Sequence, residues 1–170
     1  YVSARMPAFT DPEFYTVDVA SSLLASGRAS RLYRRLVREE RIARDVVAFT
    51  LPLVTGRSVF VAWATGFPDS DPEVLERALI REIDGLQEAD SAEVERAVAL
   101  SETALIRGVE QLASRADLLS MQQMLFGDAS RLNTEVDRLR AVTAEGVRAL
   151  ARTVLVPENR AILTYIPEDG

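Results

Sequence analysis

Two apolar runs joined by a short turn constrain the fold of this chain more than any other feature. Residues 46–51 and 58–67 are rich in β-branched and aromatic side chains, and residues 55–57 (Thr-Gly-Arg) favour a turn between them. Because a short connection of this kind joins antiparallel neighbours, the pattern predicts a β-hairpin. Both runs are apolar on each face, which is typical of central strands or of a sheet with one face under helices.

Helix signals fill most of the remaining chain and concentrate in its second half. Asp71 followed by Pro72 is typical of a helix N-terminus, and Thr143 resembles another N-cap. Gly108 and Ser114 are expected to bend or break the longest helix. The patterns predict helices over 12–25, 30–41, 72–87, 91–126, 133–141 and 143–154, and further strands over 1–6 and 160–167. This order predicts an α+β two-layer sandwich, in which helices cover one face of an antiparallel or mixed sheet, and not a doubly wound fold.

The length and the even composition of the chain favour one domain. Its 170 residues suit a single core, and no internal repeat, low-complexity stretch or linker divides residues 1–170. The chain opens inside a strand-like run, residues 1–6, and not with Met, so we expect a fragment of a longer protein. No apolar run approaches the ~20 residues that span a bilayer, so we expect no membrane span.

Histidine, cysteine and lysine are all absent from the sequence. Without Cys or His the chain has no disulfide, no thiolate or imidazole zinc site, and no Ser-His-Asp or Cys-His catalytic group. Carboxylate-only chemistry with magnesium or calcium stays open, but Asp69, Asp71 and Glu73 lack calcium-loop spacing, and helix capping explains them better. We therefore expect no metal ligand and no cofactor in this chain.

A cluster of arginines resembles a nucleic-acid patch in charge alone. Its members are Arg28, Arg31, Arg34, Arg35, Arg38, Arg41 and Arg44. Glu39, Glu40 and Asp45 interrupt the cluster, and Tyr33 is its one aromatic residue. The net charge of −6 also repels phosphates. We expect no nucleic-acid partner; a nucleic-acid module would instead show binding that falls steeply with salt.

Three segments in order carry a family resemblance. They are residues 23–33 with 36–43 (LLASGRASRLY and LVREERIA), the hairpin with 67–69 and the helix after it, and residues 127–133, 142–147 and 157–160. Together they cover almost the whole chain, and the first is the most specific. The chain resembles the C-terminal, inactive domain of insulinase-type zinc peptidases, the pitrilysin group that includes mitochondrial processing peptidase and respiratory-complex core proteins.

The resemblance implies a place in a two-domain clamp. Family members pair two similar α+β domains around a peptide, and one domain carries a His-x-x-Glu-His motif that binds zinc and activates water. A chain without His resembles the partner of that domain. The resemblance therefore implies zinc in a catalytic domain, in the same chain or in a partner subunit, with a peptide or unfolded protein as substrate.

The resemblance also implies two substrate-binding residues, Arg38 and Arg44. Family members often present an Arg and, seven residues later, a Tyr that hold the substrate backbone near the scissile bond. Arg38 matches that Arg, but the usual run of Gly, an apolar residue, Ala and Tyr is one residue shorter here, and Arg44 falls at the place of the Tyr. The alternatives are a solvated Arg38 paired with Glu39 or a neighbour, and an Arg44 that is favoured by a helix C-terminus.

Two functions follow from the resemblance. The first is a non-catalytic domain that binds substrate and closes the chamber of a zinc metalloendopeptidase. The alternative is a structural or assembly subunit related to the respiratory core proteins, without peptidase activity, which the missing Tyr favours. The resemblance is compatible with a periplasmic or cell-envelope setting and with the cytoplasm, so the compartment stays open.

Overall fold

One antiparallel sheet forms the base of the structure, a computed structural model that describes residues 1–166. Its four strands in the described part of the chain lie in the order β2-β3-β1-β4. They are β1 (Val2–Met6), β2 (Ala43–Leu51), β3 (Ser58–Gly66) and β4 (Arg160–Ile162). All neighbouring pairs are antiparallel, so the predicted hairpin of β2 and β3 is confirmed.

Six α-helices lie among the described residues. They are α1 (Phe14–Ala25), α2 (Pro72–Asp84), α3 (Ser91–Glu110), α4 (Leu112–Phe126), α5 (Glu135–Arg140) and α6 (Ala144–Thr153). The predicted caps are in place: Asp71 accepts a hydrogen bond from the Glu73 amide at 2.9 Å, and Thr143 accepts one from the Gly146 amide at 3.1 Å. None of the described helices combines the length and apolar character that a bilayer crossing requires.

Two predicted helices and one predicted strand differ from the structure. The helix predicted over 91–126 breaks at Gln111, whose backbone is extended between α3 and α4. Gly108, a weak helix former one turn earlier, reduces the cost of that break. The helix predicted over 30–41 is a π-helix over Tyr33–Glu39. The strand predicted over 160–167 ends at Ile162, and Pro167 lies outside the described residues.

The core lies between the helices and one face of the sheet. Alternate side chains of β1, Val2, Ala4 and Met6, are buried, as are Phe60 and Ala62 of the neighbouring strand β3. The apolar side chains of α1 pack on this face. The period-two burial of the strands and the one-sided helix layer confirm the predicted α+β sandwich.

The opposite face of the sheet carries a row of aromatic rings. Trp63 of β3 lies 5.7 Å from Tyr1 and 5.7 Å from Phe49, measured between ring centroids. Such tilted and edge-to-face pairs are favourable arrangements of the ring quadrupoles. The rings remain partly exposed, so this face of the sheet is apolar without being a second closed core.

Candidate substrate-contact site

Arg38 lies in the last turn of the π-helix Tyr33–Glu39. Leu32 and Leu36 are fully buried and anchor this segment against the core, while Arg38 is exposed. The wide turn is visible in the bond from the Glu40 amide to the Arg35 carbonyl, 2.8 Å long and five residues apart. Single π-turns are rare and occur often at functional sites.

Arg41 ends this segment in an unusual backbone conformation. Its φ of 54° is the one positive value of a non-glycine residue among residues 1–166. The Ile42 amide then donates to the Leu36 carbonyl at 3.0 Å, which closes the end of the helix. Positive φ costs a residue with a Cβ free energy, and glycine is the usual choice there. Arg41 therefore makes the left-handed turn in the same short run in which the family resemblance leads us to expect glycine.

Arg44 follows at an irregularity of β2. Ala43 pairs with Gly66 and Asp45 pairs with Thr65, so Arg44 is the extra residue of a β-bulge. A bulge bends its strand and re-aims the side chain at that point. Arg44 is exposed, and it belongs to a strand and not to the end of a helix. The alternative explanation of Arg44 by a helix dipole does not fit this position.

The two predicted residues meet at one open depression of about 520 Å³. It is lined by Val37, Arg38, Arg41, Ala43, Arg44 and Phe67. The structure thus brings Arg38 and Arg44 together and adds Arg41 and Phe67, which sequence reasoning missed as site residues. The shortened run was the sequence signal for Arg41, and the family resemblance over residues 67–69 was the signal for Phe67, which is 47% exposed just after β3.

Some arginines of the cluster form ion pairs and others do not. Arg31 binds Glu93 at 2.5 Å, and Arg35 binds Glu39 at 2.7 Å. Within residues 1–166, no ion pair holds Arg38, Arg41 or Arg44. Arg38 is exposed, as the solvated alternative expects, but the pair with Glu39 is not formed, because Glu39 is bound by Arg35.

Unpaired guanidinium groups determine what the depression can do chemically. Each is a planar fork of N–H donors without an acceptor, suited to carbonyl or carboxylate oxygens. Among the described residues, no group of three or more His, Cys, Asp or Glu side chains is placed to hold a metal ion. The donor set of the described residues therefore does not fit zinc.

Comparisons with known proteins find relatives among zinc proteases and their inactive domains. The chain is 25% identical over 159 residues to an uncharacterized zinc protease of Streptomyces coelicolor, covering 91% of this chain but only 34% of that protein. It is 26% identical to a crystallised inactive peptidase domain of a candidate zinc protease from Bordetella parapertussis, with a TM-score of 0.82 and coverage of 99% and 91% of the two chains. A chain of complex III2 from Candida albicans shares the fold at 16% identity, with a TM-score of 0.80 over 94% of this chain and 40% of that one.

A family model confirms the recognition made from the sequence. The model described as the peptidase M16 inactive domain matches residues 1–101, more than half of the chain. The matched part contains the hairpin, the π-helix and the bulge that build the depression. On this evidence the chain belongs to the family of peptidase M16 inactive domains.

Proposed function

We propose that this chain is the substrate-holding, chamber-closing domain of a zinc metalloendopeptidase. Its catalytic zinc would lie in a partner domain, in the same chain or in another subunit, because this chain has no zinc ligands of the usual kind. The observation that carries the proposal is the group of three exposed, unpaired arginines around one depression. The chain spans 34% of the Streptomyces protein, so the rest of that protein is long enough to contain such a partner domain.

The depression suits an extended peptide backbone. In the proposal, Arg38 and Arg44 donate hydrogen bonds to successive peptide carbonyls, and Phe67 with Val37 contacts an apolar side chain between them. Strand-like pairing of the same peptide with a sheet edge of the catalytic domain would give affinity with little sequence dependence. Closure of the two domains would exclude bulk water and complete the active site.

The test uses the full-length parent protein and an unfolded protein substrate. Removing a charged donor from a bound carbonyl costs about 1.5–3 kcal/mol. The Arg38→Ala and Arg44→Ala variants should therefore each lower kcat/KM roughly 10- to 100-fold, with unchanged zinc content. Arg77→Ala is the matched control, since Arg77 is an exposed arginine of α2 that does not line the depression. Activity of both variants within about twofold of this control would contradict the proposal.

One observation favours a second function, that of an assembly subunit without peptidase activity. Arg44 stands where the family resemblance leads us to expect a Tyr that contacts substrate. An assembly subunit without peptide turnover would tolerate that replacement. Under this alternative, the full-length parent would bind no zinc, cleave nothing and co-purify in a stable complex.

A further inference from the structure

A groove of about 910 Å³ lies beyond the N-terminal end of β1, between β3 and the residues that follow β4. One wall is formed by residues 64–66 of β3, and the outer wall by residues 163–166, which continue from β4. Side chains of α2 form the floor, and the Thr164 hydroxyl donates to Glu76 of α2 at 2.7 Å, which holds the outer wall in place. Because β3 and β4 flank β1, the walls are two strand spacings apart where they leave β1, about 10 Å. This groove, the strand slot, therefore has the width of one further strand.

The backbone of β3 has unused hydrogen-bonding groups along the strand slot. The Tyr1 nitrogen donates to the Leu163 carbonyl at 2.9 Å, and the Leu163 amide donates to the Tyr1 carbonyl at 2.9 Å. Residues of an antiparallel strand bond to alternate sides, so Val2 bonds to its partner Ala62, and Ala64 is the next β3 residue that faces this side. In the described part of the chain β1 begins at Val2, and no backbone bond from another segment reaches Ala64. An unpaired edge of this kind is a template for a further strand.

Tyr1 determines the direction from which such a strand arrives. Its N–H is held toward Leu163 at the mouth of the slot. Because the chain is extended here, a residue attached to the Tyr1 nitrogen lies in line with β1 and enters the slot. Continuing the observed register places that residue opposite Ala64 on one side and Thr164 on the other.

We propose that the strand slot holds the segment of the parent protein that leads into Tyr1, as an N-terminal extension of β1. About three residues, at ~3.4 Å each, continue the pairing as far as Gly66, the last residue of β3. A free peptide or a strand of a second copy would meet the same open edge, but a segment linked to Tyr1 has the advantage of a high effective concentration. The inference rests on the proposed function only in taking the parent to be longer than this chain.

The alternation of β1 specifies one side chain of the incoming segment. Val2 and Ala4 are buried on the core side of the sheet, whereas Tyr1 points to the opposite face. The residue directly before Tyr1 therefore points to the core side, where Leu75 and Leu79 of α2 line the slot. The proposal predicts a small or apolar residue at that position of the parent.

The strand slot adjoins the depression that contains Arg38. Arg44 and Phe67 line both spaces. In the proposal, the incoming strand lies against these two side chains and restricts their motion beside the depression. The segment that enters this domain thus also forms part of the support of its substrate-contact residues.

Amide hydrogen exchange of the 170-residue chain and of the full-length parent tests the proposal. The Trp63 amide is the control in the same strand, because it faces β2, where its partner is Val47. Relative to Trp63, the Ala64 amide should exchange at least about tenfold more slowly in the parent than in the 170-residue chain, since it gains a carbonyl acceptor there. An equal ratio in the two proteins would overturn the proposal. Slow exchange that appears only with an added unfolded substrate, or only where the chain dimerises, would assign the slot to another occupant and overturn it as well.

Restoring the segment to the short chain gives a second readout. A chain that begins about six residues earlier, the length of an ordinary strand, should reproduce the slow exchange of Ala64. A matched extension in which alternate residues are replaced by proline should not, because proline has no N–H and does not pair within a sheet. Equal exchange of Ala64 in these two extended chains would count against the proposal.

This result is separable from the test of substrate holding. Arg38→Ala should leave the exchange of Ala64 in the parent unchanged, because Arg38 does not line the strand slot. An unprotected Ala64 together with a loss of kcat/KM in Arg38→Ala would overturn the strand slot and leave the proposed function standing. A protected Ala64 with unchanged kcat/KM would do the reverse.

Discussion

The ion pair between Arg31 and Glu93 ties the arginine-bearing segment to the helix layer. Two bonds join the groups, from Nε to Oε1 at 3.1 Å and from Nη2 to Oε2 at 2.5 Å. Both side chains are only 12% exposed. Glu93 also completes a capping box with Asp90 at the start of α3. Replacing Glu93 by Gln removes the charge but retains an oxygen that can accept from the Asp90 amide.

The expected cost of Glu93→Gln is about 1–2 kcal/mol at neutral pH. Fully exposed pairs contribute ~0–1 kcal/mol, whereas bonds to charged groups that become buried are worth ~1.5–3 kcal/mol. This pair lies between those limits, since its side chains are largely but not fully covered. For a domain of this size, the cost corresponds to a decrease in Tm of roughly 2–8 °C.

The sign of the pH dependence follows from the pKa of Glu93. Burial opposes its ionisation, but the hydrogen bonds and charge of Arg31 outweigh that effect and hold the pKa below its usual value. The stabilisation is therefore complete above the unfolded-state pKa, about 4.3. It is lost as the pH falls through the lower pKa of the folded state. The difference in unfolding free energy between the unmodified chain and Glu93→Gln should therefore be largest at neutral pH and should disappear in acid.

Urea unfolding of both chains, followed by circular dichroism, measures this difference in unfolding free energy. Glu95→Gln is the matched control, an exposed glutamate in the same helix. A double-mutant cycle with Arg31→Met isolates the pairwise free energy, which should be about 1–2 kcal/mol. A coupling free energy below about 0.3 kcal/mol, or a difference in unfolding free energy that persists unchanged at acid pH, would refute this account of the pair.

Further predictions concern backbone conformation and are checked by the same unfolding measurement. Gly127→Ala should destabilise by about 1 kcal/mol, since Gly127 ends α4 at a φ of 71°. Gly108→Ala should instead stabilise by ~0.5–1 kcal/mol, because a Cβ there meets only Leu118 at an ordinary 3.9 Å. Arg41→Gly should relieve the left-handed strain, stabilising by up to ~1 kcal/mol while lowering kcat/KM of the full-length parent; destabilisation would contradict the assignment of strain to this residue.

The strands, one hairpin and most helix starts could be predicted because local physics determines them. Apolar, β-branched runs with a turn between them predict the β2–β3 hairpin, and Asp71 and Thr143 are short polar caps before amphipathic helices. The break at Gln111 could not be predicted to the residue, because no proline or glycine stands there. The turn back of α4 onto α3 depends on contacts distant in sequence, which a local pattern does not contain.

The candidate site residues also differ in how far they could be predicted from the sequence. Arg38 and Arg44 became candidates only through the family resemblance of their segment, and the depression that they share does not follow from the sequence. The burial of Gln122 could not be predicted, because exposed and buried Gln are identical in sequence and only the packing of α4 shows that this one is buried.

The placement of the acidic residues explains why a basic site exists on an acidic domain. Glu39 is bound by Arg35 and Glu40 by Arg81, so the carboxylates next in sequence to Arg38 are already neutralised. At a net charge of −6, the long-range field of this chain does not recruit acidic partners. The unpaired guanidinium groups act only within a Debye length of about 8 Å. Under the proposed function, a site of this kind would orient a peptide backbone that has already arrived, as a domain that holds a substrate for chemistry on a partner domain must do.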